Sequence, residues 1–583
     1  MSARELITEH LDLWTGAVTK KSNSGRGSNG KVELTGVKKL RELILELAVH
    51  GRLVEQYPTD TPADQLLERI AERRKELIAA KQIKNSKPLS PVAPDEAPSE
   101  LPAGWAWTRL GSIAEINPRN AGDDTLEASF IPMPLVTTSY HGEHGDEPRN
   151  WGEIKKGYSH FANGDVGLAK ITPCFENSKA AVFRNLRNGI GAGTTELHVA
   201  RPLSSAINPY FLLLFLKSPR FLTEGEKVMT GSAGQKRVPK DYFSETPLPL
   251  PPAEEQHRIV QKVDELMALC DRLEQQTSDQ LEAHETLVDT LLGTLTQSEN
   301  ATELADNWAR LAAHFDTLFT TEQSIDKLKQ TILQLAVMGR LVEQDEGDES
   351  AKELITKLSA AKTSLIEDGK LKKSRKLPDI SDEEACIRLP SGWLLTRLGD
   401  VYDVRDGTHD SPKYQTAGYP LITSKNLSSG ELSFDDVKLI SELDHQKIQE
   451  RSRVRKGDIL FAMIGSIGNP VIVNTNREFS IKNVALFKHY SDELSCPSFL
   501  KLFLENAAED LKQQAAGGVQ SFVSLGKLRS WLIPLPPLAE QHRIVQKVDE
   551  LMALCDQLKE RLNQASETRC HLAKAIVEQG LSA

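Results

Sequence analysis

The seventeen letters EQHRIVQKVDELMALCD stand at residues 255–271 and again, unchanged, at 540–556. A chain that spells one helix-like segment twice, 285 positions apart, is constrained to fold as two related units. The duplication extends well beyond that segment. VKKLRELILELAVHGRLVEQ (37–56) matches IDKLKQTILQLAVMGRLVEQ (325–344) at thirteen of twenty positions, and LPAGWAWTRLG (101–111) matches LPSGWLLTRLG (389–399). PPAEEQHRIV (251–260) pairs with PPLAEQHRIV (536–545). The matched stretches are flanks. What lies between them differs, so one scaffold is expected to carry two different interiors.

The flanks read as helices. Val37, Leu40, Ile44 and Leu47 form an apolar stripe, and Gly51 suits a left-handed cap. Thr61-Pro62 opens a second helix. In the second half Ser350 is an N-cap and Gly369 a terminator. Each repeated long helix begins after Pro-Pro with acidic residues in its first turn, where the helix dipole favours them. Ile259, Val263, Leu266 and Cys270 make a heptad seam, matched by Ile544, Val548, Leu551 and Cys555. The first seam turns polar and resumes at Leu287 and Leu291, and the second runs on through Leu562, Arg569, Leu572 and Ile576. Such seams want a partner helix, and the simplest partner is the other copy, packed antiparallel; the alternative is that each helix packs on its own domain.

The interiors look mixed α/β. GDVGLAKI (164–171) and GDILFAMI (457–464) read as matching strands after a Gly-Asp turn, and YFLLLFL (210–216) and SFLKLFL (498–504) as matching helices. The expected order is an N-terminal extension with a Ser/Gly/Asn-rich link (1–36), a helical region (37–104), a first central domain (105–250), and a central helical region (251–392). That region holds a long helix over 252–295, helices over 321–368 and a linker. A second central domain (393–535) and a C-terminal long helix (536–583) follow. Residues 1–36 have no evident counterpart in the second half.

Net charge is −11 over 583 residues, which argues against a general nucleic-acid binder. The acidity is not spread evenly, however. Segment 105–250 sums to +1 and 393–535 to zero, leaving −12 elsewhere. A basic face on either central domain remains open. The start of the chain is charged and no apolar run is long enough for a bilayer. Six cysteines without metal-ligand spacing suit a reduced, cytoplasmic protein with no bound metal.

No phosphate loop, dinucleotide fingerprint, zinc-protease motif, methyltransferase tetrad or nuclease centre is assembled. The polar loops of the interiors are the candidates instead. AKITPCFENSK (169–179) offers Lys170, Thr172, Glu176, Asn177 and Lys179, and Lys suits guanine as Asn suits adenine. TGSAGQKRVPK (230–240) offers Gln235, Lys236 and Arg237 on a Gly-rich loop that permits close backbone approach. Gln520 and Ser521 stand at the corresponding place in the second interior. There His409 and Lys413 (GTHDSPKY), Lys425 and Asn426 (TSKNL), and Arg451 and Arg453 (RSRVRKGD) complete the set, the last being suited to phosphates. Gln256, His257, Arg258 and their copies Gln541, His542, Arg543 read as polar docking residues in the first turn of the repeated helix.

Taken together, the duplicated Pro-Pro-x-x-Glu-Gln-x-x-Ile-Val helix, the repeated LP-x-GW-x-x-TRLG, AKITPCFENSK and GTHDSPKY…SKNL…GDILFAMIG resemble a specificity subunit of a type I restriction-modification system. The long N-terminal segment and ELAVHGRLVEQ resemble its type IB branch. The resemblance implies two pseudo-twofold-related target recognition domains, each reading half of a split site on double-stranded DNA. It implies helices that form an antiparallel coiled coil, set the spacing and dock two methyltransferase subunits. Those partners would bind S-adenosylmethionine, and restriction/translocase subunits would use ATP and magnesium; no cofactor is expected in this chain. A seam of about 33 residues spans ~50 Å at ~1.5 Å per residue, enough to separate contacts one DNA turn apart. Two rivals remain: a self-contained DNA methyltransferase or nuclease, and a coiled-coil scaffold that binds no DNA.

Overall fold

The computed structural model describes residues 7, 9–20, 32–85, 88–97, 100–232, 234–299, 301–373, 376–385, 388–464, 467–515 and 523–582. The chain divides into two compact units, Met1–Gln280 with Gln564–Ala583, and Leu281–Asn563. Each is described by itself.

In the first unit, helix α1 (Thr35–Val49) buries Val37, Leu40, Ile44 and Leu47. It ends at Gly51, whose φ is +68°. A Cβ there would stand 2.5 Å from the Pro102 ring and 2.9 Å from the Trp105 ring, so glycine is required twice over. Helix α2 (Ala63–Ala79) follows. The central domain then opens and closes through one antiparallel pair, Ala106–Arg109 with Pro247–Leu250. Between these strands lie two four-stranded sheets. One is wholly antiparallel, in the order Ala114–Ile116, Leu197–Pro202, Val166–Ala169, Ala180–Val182. The other runs Glu147–Asn150, Glu127–Ile131, Ile190–Gly193, Ser159–Ala162, its middle pair parallel. Helix α3 (Pro209–Lys217), apolar on nearly every face, is buried against Ala180–Val182, and α4 (Ala253–Gln297) leaves the domain.

The second unit repeats this plan. Helices α5 (Glu322–Val337) and α6 (Ala351–Glu367) lead to the pair Leu394–Arg397 with Leu532–Leu535. An antiparallel sheet runs Tyr402–Asp406, Val484–His489, Ile459–Ala462, Gly468–Ile472. A smaller sheet keeps one parallel pair, Tyr419–Ile422 with Ser480–Ile481. Helix α7 (Pro497–Ala515) corresponds to α3, and α8 (Leu538–Ser582) to α4. Strand Ser159–Ala162 has no equivalent; helix Glu442–Ser452 stands at that point of the second interior. Both interiors are thus mixed α/β, with the expected strands and helices at Val166–Ala169, Ile459–Ala462, α3 and α7.

Three features differ from the sequence reading. A helix over Ala301–Ala313 and a short turn at Phe315–Leu318 precede α5, just as helix Leu11–Gly16 precedes α1. The N-terminal extension therefore has a counterpart in kind that its letters conceal.

The second difference is the period of the long helices. Ile259, Val263, Leu266, Cys270, Ile544, Val548 and Cys555 are buried and Leu551 is half-buried. Beyond them the expected Leu287 and Leu572 are 49% and 51% exposed, and the buried positions are Val288, Leu292 and Ala573, Val577. Cys270 to Val288 and Cys555 to Ala573 are both eighteen-residue steps, five turns at ~3.6 residues per turn. A heptad seam would have used seventeen. Cys270 and Val288 belong to different units, as do Cys555 and Ala573.

The third difference is what covers the seam. Ile544, Val548 and Cys555 share an apolar core with Leu328, Ile332 and Leu335 of α5 and Phe499, Leu500 and Phe503 of α7, inside their own unit. An antiparallel coiled coil of the two long helices is not shown.

Candidate nucleic-acid interface

The repeated letters meet in one duplicated constellation. In the first unit the Trp105 indole N–H donates to Glu255 Oε2 at 3.0 Å and Gln56 donates to Glu255 Oε1 at 3.1 Å. Trp393 and Gln344 do the same to Glu540, at 3.0 and 3.1 Å. Arg258 pairs with Asp60, and Arg543 with Asp348. The Gln256 amide donates to Pro251 O at 3.0 Å, and Gln541 to Pro536 O at 3.0 Å. Burial raises the carboxyl pKa of both Glu255 and Glu540, against the opposing pull of the Gln and Trp donors. The constellation ties the base of each central domain to the first turn of its long helix.

This corrects the docking assignment. Gln256 and Gln541 are 0% and 2% exposed, with their amides spent inside the chain. Arg258 and Arg543 are committed to internal carboxylates. His257 and His542 are exposed, the first beside Asn208 Nδ2 at 3.1 Å and the second beside the Cys496 thiol at 3.7 Å.

On the first central domain, two loops far apart in sequence meet. Ile171 bridges Arg237; Thr172 N–H donates to Lys236 O at 3.0 Å, and Lys236 N–H to Thr172 Oγ1 at 3.1 Å. Lys170 N–H donates to Glu196 O, and Lys170 O accepts from Val238. The side chains of Glu176, Asn177, Gln235 and Lys236 are exposed at this surface. Arg237 holds Glu196 through two bonds of 2.9 Å, which lower the Glu196 pKa. Lys179 donates to Met133 O at 3.1 Å.

On the second domain, Asp406, 4% exposed, takes both His409, at 2.9 Å, and Arg451. The other His409 ring nitrogen lies 3.0 Å from Asn483 Oδ1. Lys413, Lys425 and Arg453 are exposed, as is Tyr414. Asn426 is corrected from base reader to structural cap. It is 6% exposed, accepts from Thr423 N–H and Oγ1 at 3.0 and 3.1 Å, and donates to Asp435 O. Gln520 and Ser521 lie outside the described residues. Sequence reasoning missed Asp406 and Asn483, and also Trp105, Glu255, Asp60 and their copies. The latter were findable, since all six stand at matched places in the repeats.

Among the described residues, no helix is long and apolar enough to cross a membrane, and no cluster of His, Cys, Asp and Glu is set to hold a metal ion.

Two neck-bound mixed α/β modules on duplicated long helices, with unlike loops, define a paired recognition protein. The model of the type I restriction modification DNA specificity domain matches residues 102–283 and 390–567, and the chain belongs to that family. It is 48% identical to the type I restriction enzyme EcoAI specificity subunit of Escherichia coli and 46% identical to the EcoEI specificity subunit, each over the full length of both chains. The crystal structure of the HsdS subunit from Thermoanaerobacter tengcongensis aligns with a TM-score of 0.43 at 20% identity, covering 83% of this chain and 98% of that one. The function is that of a DNA specificity subunit in a type I restriction-modification system.

Proposed function

We propose that residues 105–250 and 393–535 each read one half of a bipartite site on double-stranded DNA, and that the chain is not itself a catalyst. The observation that carries this is the contrast within each unit. The constellation at the neck is duplicated almost atom for atom, while the surface loops differ in most of their letters. Identical attachment with different tips is what two unlike half-sites demand of one scaffold. The first half is read by the surface carrying Lys170, Thr172, Glu176, Asn177, Gln235 and Lys236, the second by that carrying His409, Lys413, Lys425, Arg451 and Arg453. The long helices set the gap between the halves.

Two methyltransferase subunits carrying S-adenosylmethionine and restriction/translocase subunits using ATP and magnesium complete the complex in the cytoplasm; this chain holds no cofactor. Packing inside a unit does not demand that exposed positions match. Yet Lys262, Glu265 and Leu269 recur as Lys547, Glu550 and Leu554, all exposed. These faces, rather than Gln256 and Gln541, are the berths for two identical partners.

The test is an exchange: residues 105–250 replaced by a second copy of 393–535, followed by genome-wide mapping of methylated adenines with the partner subunits present. A site built from the second half-site twice is expected. An unchanged site, or one altered only in its gap, overturns the reading.

A further inference from the structure

Lys217 ends α3 and is 3% exposed. Its Nζ donates to Ser178 O at 2.6 Å and to Thr138 O at 3.3 Å. Burial lowers its proton affinity, to about 7.

A methionine would fill such a place without the desolvation cost of an amine. What the lysine adds is a stitch. Ser178 and Thr138 lie on separate surface segments, and Lys179 joins the same segments through Met133 O. Ser178 sits in the left-handed region at φ +53°, and its carbonyl is the one Lys217 grips most closely. Directly before it come the exposed Glu176 and Asn177.

The second domain shows why the stitch is needed. There the strands Ile459–Ala462 and Gly468–Ile472 are joined by five residues, whereas ten separate Val166–Ala169 from Ala180–Val182. The residue matching Lys217 is Glu505, paired with Lys501 at 3.4 Å. A connection twice as long has more conformations to lose, and it is the one given an internal clamp.

We propose that Lys217 is a positioning residue: by pinning Ser178 and Thr138 it fixes the geometry of the Lys170–Lys179 loop and so sets the specificity of the first half-site. This rests on that loop's reading role. The test uses the full chain in its assembled complex, with methylated adenines mapped for K217M, K217Q and N177A. In K217M, base preference at the first half-site is expected to relax about tenfold while the second half-site stays as it was. K217Q, which keeps amide donors on a shorter stem, should retain more preference than K217M; a purely packing role would give the reverse order and overturn the proposal. So would an unchanged first half-site in K217M, or loss of modification at every site in both lysine variants. If N177A relaxes the first half-site and K217M does not, only the clamp falls. If N177A alters neither half-site, it is the reading role of the loop that falls.

Discussion

The two recognition domains share a sheet order, a parallel pair and a neck, yet they settle the charges near their tips differently. The first occupies three of its cations internally: Arg237 by Glu196, Lys179 by Met133 O, Lys217 by two more carbonyls. Its exposed tip is left to Glu176, Asn177, Gln235 and Lys236. The second domain gathers His409 and Arg451 around one buried carboxylate, Asp406, and leaves Lys413, Lys425 and Arg453 exposed. The difference teaches that the shared frame dictates where the surface lies but not which charges it presents. One tip exposes neutral and mixed polar groups, the other more cations.

The largest expected effects test the shared part. W105A and W393A each remove a buried indole and strand a buried glutamate, and each should cost its own unit about 3–5 kcal/mol. Chemical denaturation followed by fluorescence checks this, and a large cost in one variant only would break the claimed equivalence of the necks. A smaller effect tests the unlike part. Because Asn177 is exposed at the tip of the first domain, N177A should weaken discrimination about tenfold, at the first half-site only.

The smallest effect comes from pH. Buried Lys217 is lowered to about 7 from its usual 10.5. Below that range folded and unfolded chains both hold the proton. Between about 7 and 10.5 only the unfolded chain does, so rising pH favours the fold, by about 1 kcal/mol from pH 7 to 8. K217M should lose that increment in a comparison of melting curves at the two pH values. At the matching place the second domain has Glu505, so this particular increment belongs to the first domain.

How much was legible follows from these residues. Repetition exposed the two units, the paired helices and the strand-to-strand loop after Ala169, because each depends on local pattern. The partners of Arg237 and Asn426 were hidden, since the first is met 41 positions away and the second through a cap that only folding closes. Periods of 3.5 and 3.6 residues are indistinguishable over the first turns of α4 and α8. They part slowly along a helix, and it is at Leu287 and Leu572, exposed where burial was expected, that the seam reading failed. Gln256 and Gln541 looked like surface because glutamine usually is; their burial depends on a neck no local pattern draws.

That neck has an evolutionary corollary. Since Ala106–Arg109 and Pro247–Leu250 lie side by side, everything between them hangs as a cassette from a single clip, and the clip is spelled nearly alike in both halves of the gene. Recombination at those flanks can trade one head for another without disturbing the chassis, so a lineage could acquire a new DNA address in one crossover rather than by many small mutations.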